Sequence, residues 1–350
     1  MMDIKSKNLL DRPRRLRQNM TLRKMVSENH FHLDEFIYPM FVIDGNKIKN
    51  EIPSMPGIYQ WSIDMIVSEI DAIINMGISK ILLFGVPENK DEQGSATWSD
   101  DGIIQKTVRK LKYEFPELYI ISDVCFCGYT DHGHCGVLQD GDLHNDMTLS
   151  NVSKQVLSHA GAGVDMVAPS LMIDGMVGEI RSTLDENGFN QIPIMSYAVK
   201  YASSFYGPFR EAVDSSPKRG DRKTYQMDPA NRKEAIKEVE LDLIEGADIV
   251  MVKPALSYLD IIAKVKNIAS IPVACYNVSG EYSMLKAASK ENYLEHDATM
   301  MEMLLSMKRD PFKVKTSVTP LRTDTFPKSD CQEKSEKSLK VVHPPFKFKD

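Results

Sequence analysis

A repeated alternation of short apolar runs with longer amphipathic stretches limits the folds that this 350-residue chain can adopt. Seven runs are rich in β-branched and aromatic residues and are almost continuously apolar, which is typical of parallel strands buried on both faces. These predicted strands cover residues 36–43, 80–86, 119–125, 164–170, 192–198, 248–253 and 271–278.

The stretches between the predicted strands indicate helices. In residues 62–77 and 229–246, apolar side chains recur at three- and four-residue spacing and a glycine stands at the end. In the second stretch, Pro229 falls in the first turn of the predicted helix. Strand–helix alternation repeated seven times favours an α/β fold of the (β/α)8, or TIM, barrel type over a doubly wound sheet, and one domain over two.

The eighth strand is the weak point of this prediction. Residues 312–318 alternate with period two, but that register directs Lys313 and Lys315 toward a layer that is apolar in a barrel. From Pro320 onward, prolines and scattered charges are typical of an unfolded tail. We therefore expect an N-terminal arm at 1–30, a barrel at 31–319 that closes poorly, and an atypical, disordered tail at 320–350.

Charge and cysteine content narrow the functional classes. The formal net charge of -6 argues against a general affinity for nucleic acid or acidic lipid. The polar, basic N-terminus lacks the apolar core of a secretory signal, and no run approaches the roughly 20 apolar residues of a membrane helix. Three of the five cysteines cluster, which favours metal binding or catalysis in a reducing compartment. We expect a cytoplasmic protein without nucleic-acid or membrane partners.

Two lysines fall at the carboxyl ends of predicted strands. Lys200 follows the run IMSYAV, and Lys253 ends the run DIVMVK. In a (β/α)8 barrel this rim carries the active site. A lysine packed among apolar residues near a second cation has a lowered pKa, so its neutral amine can attack a carbonyl and form a Schiff base. Either lysine alone is compatible with a surface position, whereas the pair favours a Schiff-base site.

The segment DVCFCGYTDHGHCG begins in the third predicted strand and continues along the same rim. Cys125, Cys127 and Cys135 place three sulfur ligands in one loop. A structural zinc site usually has four protein ligands, whereas a catalytic site keeps one position open. Three cysteines favour the open type. A fourth ligand from His132 or His134 would instead make the site structural. Small buried cysteines without a metal are the alternative.

Residues 205–222 form a predicted loop after Lys200 that contains Arg210 and Arg222 among aromatic residues and glycines. Guanidinium groups suit bidentate binding of a carboxylate. A loop of this kind over a barrel mouth is compatible with a lid. A solvated basic loop is equally compatible with the sequence.

Several long motifs resemble one known family. They are MSYAVKYASSFYGPFREA, MVKPALSYLDI, DVCFCGYTDHGHCG, NVSGEY, EIPSMPGIYQ and the opening RPRRLR. From about Arg12 to Arg309 the chain resembles the porphobilinogen synthase (5-aminolevulinate dehydratase) family, and its cysteine loop resembles the zinc-dependent subgroup. The resemblance implies a hydro-lyase that condenses two molecules of 5-aminolevulinate to porphobilinogen, with loss of two waters, in tetrapyrrole (haem) biosynthesis.

The resemblance also assigns roles to individual residues. It implies that Lys253 holds one substrate as a Schiff base and that Lys200 holds or activates the other. Arg210 and Arg222 would bind the carboxylate of the first substrate, and Ser279 that of the second.

The implied metal is zinc on the three cysteines, acting as a Lewis acid on the second substrate. Asp123 and Ser170 are weaker candidates for proton transfer and hydrogen bonding. Glu238 stands where many bacterial members bind an allosteric magnesium, but an exposed helix carboxylate fits it equally well. Family members are usually homo-octamers whose arms wrap a neighbouring barrel, so we expect a homo-octamer.

The chain departs from the family pattern at its C-terminus. Asp310 and Pro311 begin an unrelated sequence, and Val318 stands at the expected place of a substrate-binding tyrosine. One alternative is therefore a catalytically impaired member of the same family. A second is another Schiff-base barrel enzyme, such as a class I aldolase, from which the cysteine loop would distinguish this chain because such aldolases need no metal.

Overall fold

The computed structural model of the chain describes residues 10–309 and 316–318. Two short strands, Lys49–Glu51 and Tyr59–Trp61, pair with each other and join the main sheet, and Leu138–Gln139 pairs with Asp142–Leu143 apart from it. The other eight strands are parallel, and we number them in chain order. They are β1 (Phe36–Ile43), β2 (Lys80–Val86), β3 (Tyr119–Val124), β4 (Met166–Pro169), β5 (Met195–Lys200), β6 (Ile249–Lys253), β7 (Val273–Tyr276) and β8 (Thr316–Val318).

The strands follow one another around a closed barrel. Hydrogen bonds link them in the order β4-β3-β2-β1-β8-β7-β6-β5. The last gap is bridged by a parallel pair between Val167 and Ile194, where the Val167 N–H donates to the Pro193 carbonyl at 3.1 Å. The predicted (β/α)8 barrel is thus the observed fold, and the doubly wound alternative is wrong.

Strand β8 corrects the expectation of poor closure. Its residue Ser317 pairs with Phe36 of β1 on one side and with Cys275 of β7 on the other. Three residues are enough because closure depends on backbone hydrogen bonds, which do not require an alternating apolar face. Val318 is the last residue of β8 and lies in register with Tyr276. Lys313, Lys315 and the predicted tail at 320–350 lie outside the described residues.

The other strand predictions differ from the structure only at their ends. The predictions for residues 36–43 and 80–86 have the same bounds as β1 and β2. The largest shift is in β5, which begins three residues later than predicted and continues to Lys200. Strand β4 is shorter than predicted at both ends.

Ten α-helices accompany the strands in the described part of the chain. They are α1 (Met20–Met25), α2 (Ile63–Asn75), α3 (Ile103–Glu114), α4 (Asn145–Ala162), α5 (Met176–Glu186), α6 (Gly207–Ala212), α7 (Lys233–Glu245), α8 (Leu259–Ile268), α9 (Ser279–Lys290) and α10 (His296–Lys308). None of these helices is long and apolar enough to cross a membrane.

The two helices singled out from the sequence are present with different starts. Helix α2 is followed by Gly77 at φ +95°, as a glycine stop requires. Helix α7 begins at Lys233, so the prediction of a proline in its first turn is wrong. Pro229 lies in a preceding turn, where the Asp228 carboxylate accepts from the Ala230 N–H at 2.8 Å. Gly246 ends α7 at φ 101°.

The apolar core has two layers, as the barrel requires. The inner layer fills the barrel with alternate strand residues such as Phe41, Leu82 and Met251. The outer layer packs the opposite faces of the strands against the helices. Outside both layers, residues 10–30 contain a 3-10 turn at Pro13–Arg17 and helix α1, neither of which has a buried residue.

Candidate active site

The structure brings Lys200 and Lys253 together at the carboxyl rim of the barrel. They are the last residues of β5 and β6, and their Cα atoms are direct partners across these strands. Each lysine is only 5% exposed. The two amines therefore share one buried environment, which the sequence placed on the correct rim from the strand ends alone.

Aromatic rings surround the amine of Lys253. Its Nζ lies 4.1 Å from the ring centroid of Tyr276, 5.0 Å from that of Tyr197, 5.1 Å from that of Phe209 and 5.4 Å from that of Tyr206. Burial lowers the pKa of Lys253 to about 7, and the charge of Lys200 contributes in the same direction. A large fraction of this amine is thus neutral and nucleophilic near neutral pH.

Lys200 has a more polar setting. Its Nζ donates to the backbone carbonyl of Ser170, directly after β4, and it lies 5.9 Å from the centroid of Tyr197. This hydrogen bond fixes the Lys200 side chain toward β4, whereas Lys253 points into the aromatic cage. The two lysines are therefore chemically unequal.

Asp123 lies near both lysines, in β3. Its carboxyl is largely buried, and Oδ1 has no hydrogen-bond partner among the described protein atoms. Burial raises the pKa of Asp123 to about 7, although Lys200 opposes this rise and a hydrogen bond with the Ser170 side chain also lowers the pKa. A carboxyl group that titrates near neutrality beside two amines is suited to proton transfer.

The three loop cysteines form a compact cluster on the same rim. Cys125, Cys127 and Cys135 are buried, and their sulfur atoms all lie within 4.8 Å of one another. Hydrogen bonds from the other two thiols, together with Arg222, lower the pKa of Cys135 well below its usual value. Sulfurs bound to one tetrahedral zinc at 2.3 Å stand roughly 3.8 Å apart, so small side-chain shifts would let this cluster hold the ion.

Both candidate histidines are engaged outside the cysteine cluster. The His134 ring contacts the Tyr225 hydroxyl at 3.1 Å and the Arg219 carbonyl at 2.8 Å. The His132 ring contacts the Glu92 carbonyl at 3.0 Å and accepts from the His134 N–H at 3.1 Å. Since all four ring nitrogens have other partners, neither histidine joins the three cysteines as a fourth ligand in the described structure.

The predicted loop at 205–222 is partly helical, which corrects the sequence expectation. A 3-10 turn (Ser204–Tyr206) leads into α6, so Arg210 projects from a helix. Arg222 is 5% exposed and its Nη2 donates to the carbonyls of Gly133 and Ser215 at 2.7 and 2.6 Å. Burial and the neighbouring Arg222 lower the pKa of Arg210. Neither guanidinium has a carboxylate partner among the described residues, and a guanidinium group suits bidentate binding of a carboxylate.

Ser279 begins α9 and lies beside Lys253. Its hydroxyl accepts from the Phe209 N–H at 3.0 Å and donates to the Phe205 carbonyl at 3.3 Å. A small apolar cavity of about 20 Å³ reaches both residues. Its walls are Pro39, Phe41, Met55, Tyr206, Phe209, Lys253, Tyr276, Val278 and Ser279.

Glu238 lies apart from these groups, on α7. It lines a polar cavity of about 470 Å³ together with Asp174 and Glu234. Burial raises the pKa of Glu238, and the two neighbouring carboxylates add to the effect. Within the described residues, only the three cysteines form a group of potential ligands close enough to hold a metal directly.

The sequence analysis did not predict the aromatic cage around Lys253, which consists of Tyr197, Tyr206, Phe209 and Tyr276. Tyr206 and Phe209 lie in residues 205–222, the segment that is called the lid below. Tyr197 precedes Lys200 by three residues, and Tyr276 ends β7. The tyrosines could have been predicted from the sequence, because they stand at or near strand ends that carry a rim lysine or lie beside one. Phe209 could not have been placed, because its contact depends on the fold of the lid.

Comparison with known proteins identifies close relatives. Residues 10–314 match the family model described as delta-aminolevulinic acid dehydratase. Proteins of that name from Halalkalibacterium halodurans and Synechocystis sp. are each 54% identical to the chain, cover 85% of it, and are matched over 91% and 92% of their own lengths. The crystal structure of delta-aminolevulinic acid dehydratase (porphobilinogen synthase) from Toxoplasma gondii, in complex with the reaction product porphobilinogen, matches with a TM-score of 0.89 and 39% identity, covering 95% of this chain and 96% of that one.

Proposed function

The chain belongs to the delta-aminolevulinic acid dehydratase family, and from this premise we propose that Lys253 and Lys200 hold two molecules of 5-aminolevulinate for their condensation. The chain is a porphobilinogen synthase, a hydro-lyase of porphyrin biosynthesis. The observation that carries the proposed mechanism is the buried lysine pair at the barrel rim.

Lys253 is the primary nucleophile in this proposal. Its pKa of about 7 leaves the amine largely neutral in its aromatic cage, where it attacks the ketone carbon of the substrate. A C–N bond forms, and the carbonyl oxygen leaves as water to give the Schiff base. The protonated Schiff base is a cation, and the faces of Tyr276 and Tyr197 stabilise it by cation–π contact.

Lys200 and Asp123 serve the second substrate and the protons. Lys200 stands one strand away from Lys253 and holds or activates the second ketone. Asp123 supplies the proton that the departing oxygen needs and takes up protons as the new bonds form, because its pKa of about 7 permits both states near neutrality. Ser170 orients the Asp123 carboxyl through its hydroxyl.

The carboxylates of the two substrates bind at different places. Arg210 and Arg222 take the first, since guanidinium groups match a carboxylate in bidentate geometry. The hydroxyl of Ser279 takes the second. Both sites open on the rim that carries the lysines.

The cysteine cluster fits zinc, with Cys125, Cys127 and Cys135 as ligands on the argument of sulfur spacing and burial. A zinc ion bound there would supply Lewis-acid polarisation of the second substrate. The same cluster argues against the class I aldolase alternative, which requires no metal. A cluster of reduced thiols also supports a cytoplasmic location.

Glu238 is proposed as part of a magnesium site. Magnesium keeps several waters and takes one or two carboxylates, so it does not need the tight ligand group that zinc needs. The cavity shared with Asp174 and Glu234 offers room and charge for such an ion.

A homo-octamer is proposed because the family resemblance implies one, and the exposed arm supports contact with another copy. Leu10 is 92% exposed, Met20 64% and Met25 73%, which is unfavourable unless another copy covers them. Light scattering of the purified chain measures the assembly directly. A monomer at micromolar concentration would contradict the proposal.

The decisive test of the mechanism is borohydride reduction in the presence of 5-aminolevulinate. The reductant converts a substrate Schiff base into a stable amine, and peptide mass spectrometry locates it. We expect the adduct on Lys253. Absence of an adduct on both Lys253 and Lys200 would refute the Schiff-base mechanism.

One observation favours an impaired enzyme as the second candidate. Val318 occupies the end of β8, in register with Tyr276, at the position expected for a substrate-binding tyrosine. Val318→Tyr should therefore lower the KM for the second substrate. If the native chain already forms porphobilinogen at the rate of that variant, the impaired alternative is wrong.

A further inference from the structure

Lys90 lies in the loop between β2 and α3, and its ammonium group donates three hydrogen bonds to the lid. Its Nζ lies 2.6 Å from the Asp214 carbonyl, 3.3 Å from the Val213 carbonyl and 3.0 Å from the Asp214 carboxylate. An ammonium group has three donors and no acceptor. All three therefore meet one short stretch of chain after α6.

That stretch, residues 213–215, connects the two arginines and is called the lid turn below. The Ser215 N–H donates to the Arg210 carbonyl at 2.9 Å, and the Ser215 carbonyl accepts from the Arg222 guanidinium at 2.6 Å. Asp214 has φ 46°, a left-handed conformation that non-glycine residues rarely adopt. Such a conformation persists only where surrounding contacts hold it.

The backbone that carries Lys90 is itself well fixed. The next residue, Asp91, bridges to the cysteine loop: its N–H donates to the Tyr129 carbonyl at 3.3 Å, and its carbonyl accepts from the Asp131 N–H at 3.0 Å. The Asp91 carboxylate also accepts from the Gln93 and Ser95 N–H groups at 2.9 Å each. Lys90 thus extends from a rigid base toward the lid turn.

We propose that Lys90 is a positioning residue for substrate binding, which holds the lid turn so that Arg210 and Arg222 face the same carboxylate. The proposal rests on the carboxylate role given to these arginines above. The competing view is an ordinary surface ion pair between Lys90 and Asp214, whose side chain is 87% exposed and therefore well solvated. Two of the three acceptors are backbone carbonyls, which favours anchoring of the turn over a surface charge pair.

Lys90→Met tests the proposal because methionine keeps the length of the stem and removes the donors. We expect KM for 5-aminolevulinate to rise about tenfold while kcat changes less than about threefold, the pattern of lost substrate binding. The melting temperature should stay close to that of the native protein, because the Gln60 side chain still binds the Ala212 carbonyl at 2.6 Å.

Two matched controls separate the explanations. Asp214→Asn removes the charge but leaves both carbonyls, so KM should change less than about twofold. Lys110→Met removes an exposed lysine paired with Glu114 on α3 and should leave KM unchanged. An Asp214→Asn effect equal to that of Lys90→Met would support the ion-pair view and overturn the proposal.

A direct binding measurement completes the test. The probe is 4-oxopentanoate, the substrate without its amino group, trapped by borohydride at increasing concentration. Its half-saturating concentration should rise by the same factor as KM in Lys90→Met. An unchanged KM, or a loss of kcat and melting temperature without a change in KM, would overturn the role of Lys90.

The variant Arg210→Met distinguishes failure of this inference from failure of the proposed function. If Arg210→Met raises KM and Lys90→Met does not, only the positioning role is wrong. If neither variant raises KM, the carboxylate role of the arginines is wrong as well, and the positioning role falls with it.

Discussion

The two rim lysines are unequal, and the difference lies in what each amine touches. Lys253 meets aromatic faces and has its pKa lowered to about 7, whereas Lys200 donates to the Ser170 carbonyl. Removal from water disfavours the ammonium form of Lys253, and the cation–π contacts with the rings offset only part of this cost. The neutral amine is the nucleophilic form of lysine, which is why we place a Schiff base on Lys253.

The pH dependence of kcat/KM follows from the lowered pKa of Lys253. Below about 7 the amine is protonated, so kcat/KM should fall by about tenfold for each further pH unit, and it should rise no further above that value. An unperturbed lysine would keep the rate rising toward pH 10. Initial rates of porphobilinogen formation across this range measure the profile, and a continued rise above pH 8 would contradict the lowered pKa.

Lys253→Met should abolish turnover and stabilise the fold. The pKa of Lys253 falls from 10.5 in the unfolded chain to about 7 in the folded chain, so folding is penalised wherever the unfolded amine is charged. The penalty is complete below pH 7 and disappears as the pH rises toward 10.5. The gain in melting temperature should therefore be larger at pH 6 than at pH 8, measured by calorimetry. A variant less stable than the native chain at pH 6 would show that the amine contributes net favourable contacts.

Asp123→Asn should separate proton transfer from Schiff-base formation. Loss of the carboxyl removes the proposed acid and base, so kcat should fall by about 10²–10⁴-fold while borohydride still traps substrate. The Asp123 charge also raises the pKa of Lys253, so its removal should move the acidic limb of the trapping profile to lower pH. A shift to higher pH would contradict this electrostatic coupling.

At the scale of elements, the cysteine loop and the lid are one connected unit. The Lys218 N–H donates to the His132 carbonyl at 3.1 Å, and Arg222 donates to the Gly133 carbonyl at 2.7 Å. The loop that would hold the metal is therefore hydrogen-bonded to the lid that would hold the substrate carboxylate. Order in one element supports order in the other.

The cysteine cluster can be tested by metal content. Cys135→Ser should weaken zinc binding by more than the roughly 10–100-fold that accompanies loss of an outer-shell contact, since it removes a ligand. Cys275→Ser is the matched control, because Cys275 is equally buried, in β7, but is outside the cluster. Metal analysis after dialysis, and the thiolate-to-cobalt absorption of cobalt-loaded protein, report binding without reference to activity. Equal metal content in both variants would place the metal elsewhere.

Sequence patterns predicted most strands and the position of the two lysines on one rim, for physical reasons that also explain the failures. Runs such as 36–43 and 80–86 are apolar because both strand faces are buried, so local sequence identifies them. Lys200 and Lys253 could be paired because parallel strands end on one rim. The structure of the lid could not be predicted from the sequence, because the start of α6 and the contact of Phe209 with Lys253 depend on distant parts of the chain.

At the scale of the whole molecule, the barrel depends on its shortest strand. Thr316–Val318 separates β1 from β7, and both of these strands would otherwise have an open edge. The sequence predicted poor closure at this strand because its residues are mostly polar. The strand closes the barrel through backbone pairing, which does not depend on apolar side chains. Closure is a property of the ring, which no local window of residues reveals.

The lysine at the end of α10 also connects the segment before β8 to the segment before β1. Lys308 donates to the His30 carbonyl and to the Glu35 carboxylate. This contact connects the helix before β8 to the segment before β1. The two parts of the chain that close the barrel are thus held near each other independently of β8.

Two truncations can separate the role of β8 from that of the remaining C-terminal sequence. A chain ending at residue 319 keeps the pairing of Ser317 with Phe36 and Cys275, so its melting temperature and porphobilinogen synthesis should match those of the full chain. A chain ending at residue 309 exposes the edges of β1 and β7, so it should melt at lower temperature and aggregate. Calorimetry and size-exclusion chromatography compare the two. Equal behaviour of both truncations would show that the barrel does not need β8, whereas loss of activity at 319 would assign a function to residues 320–350.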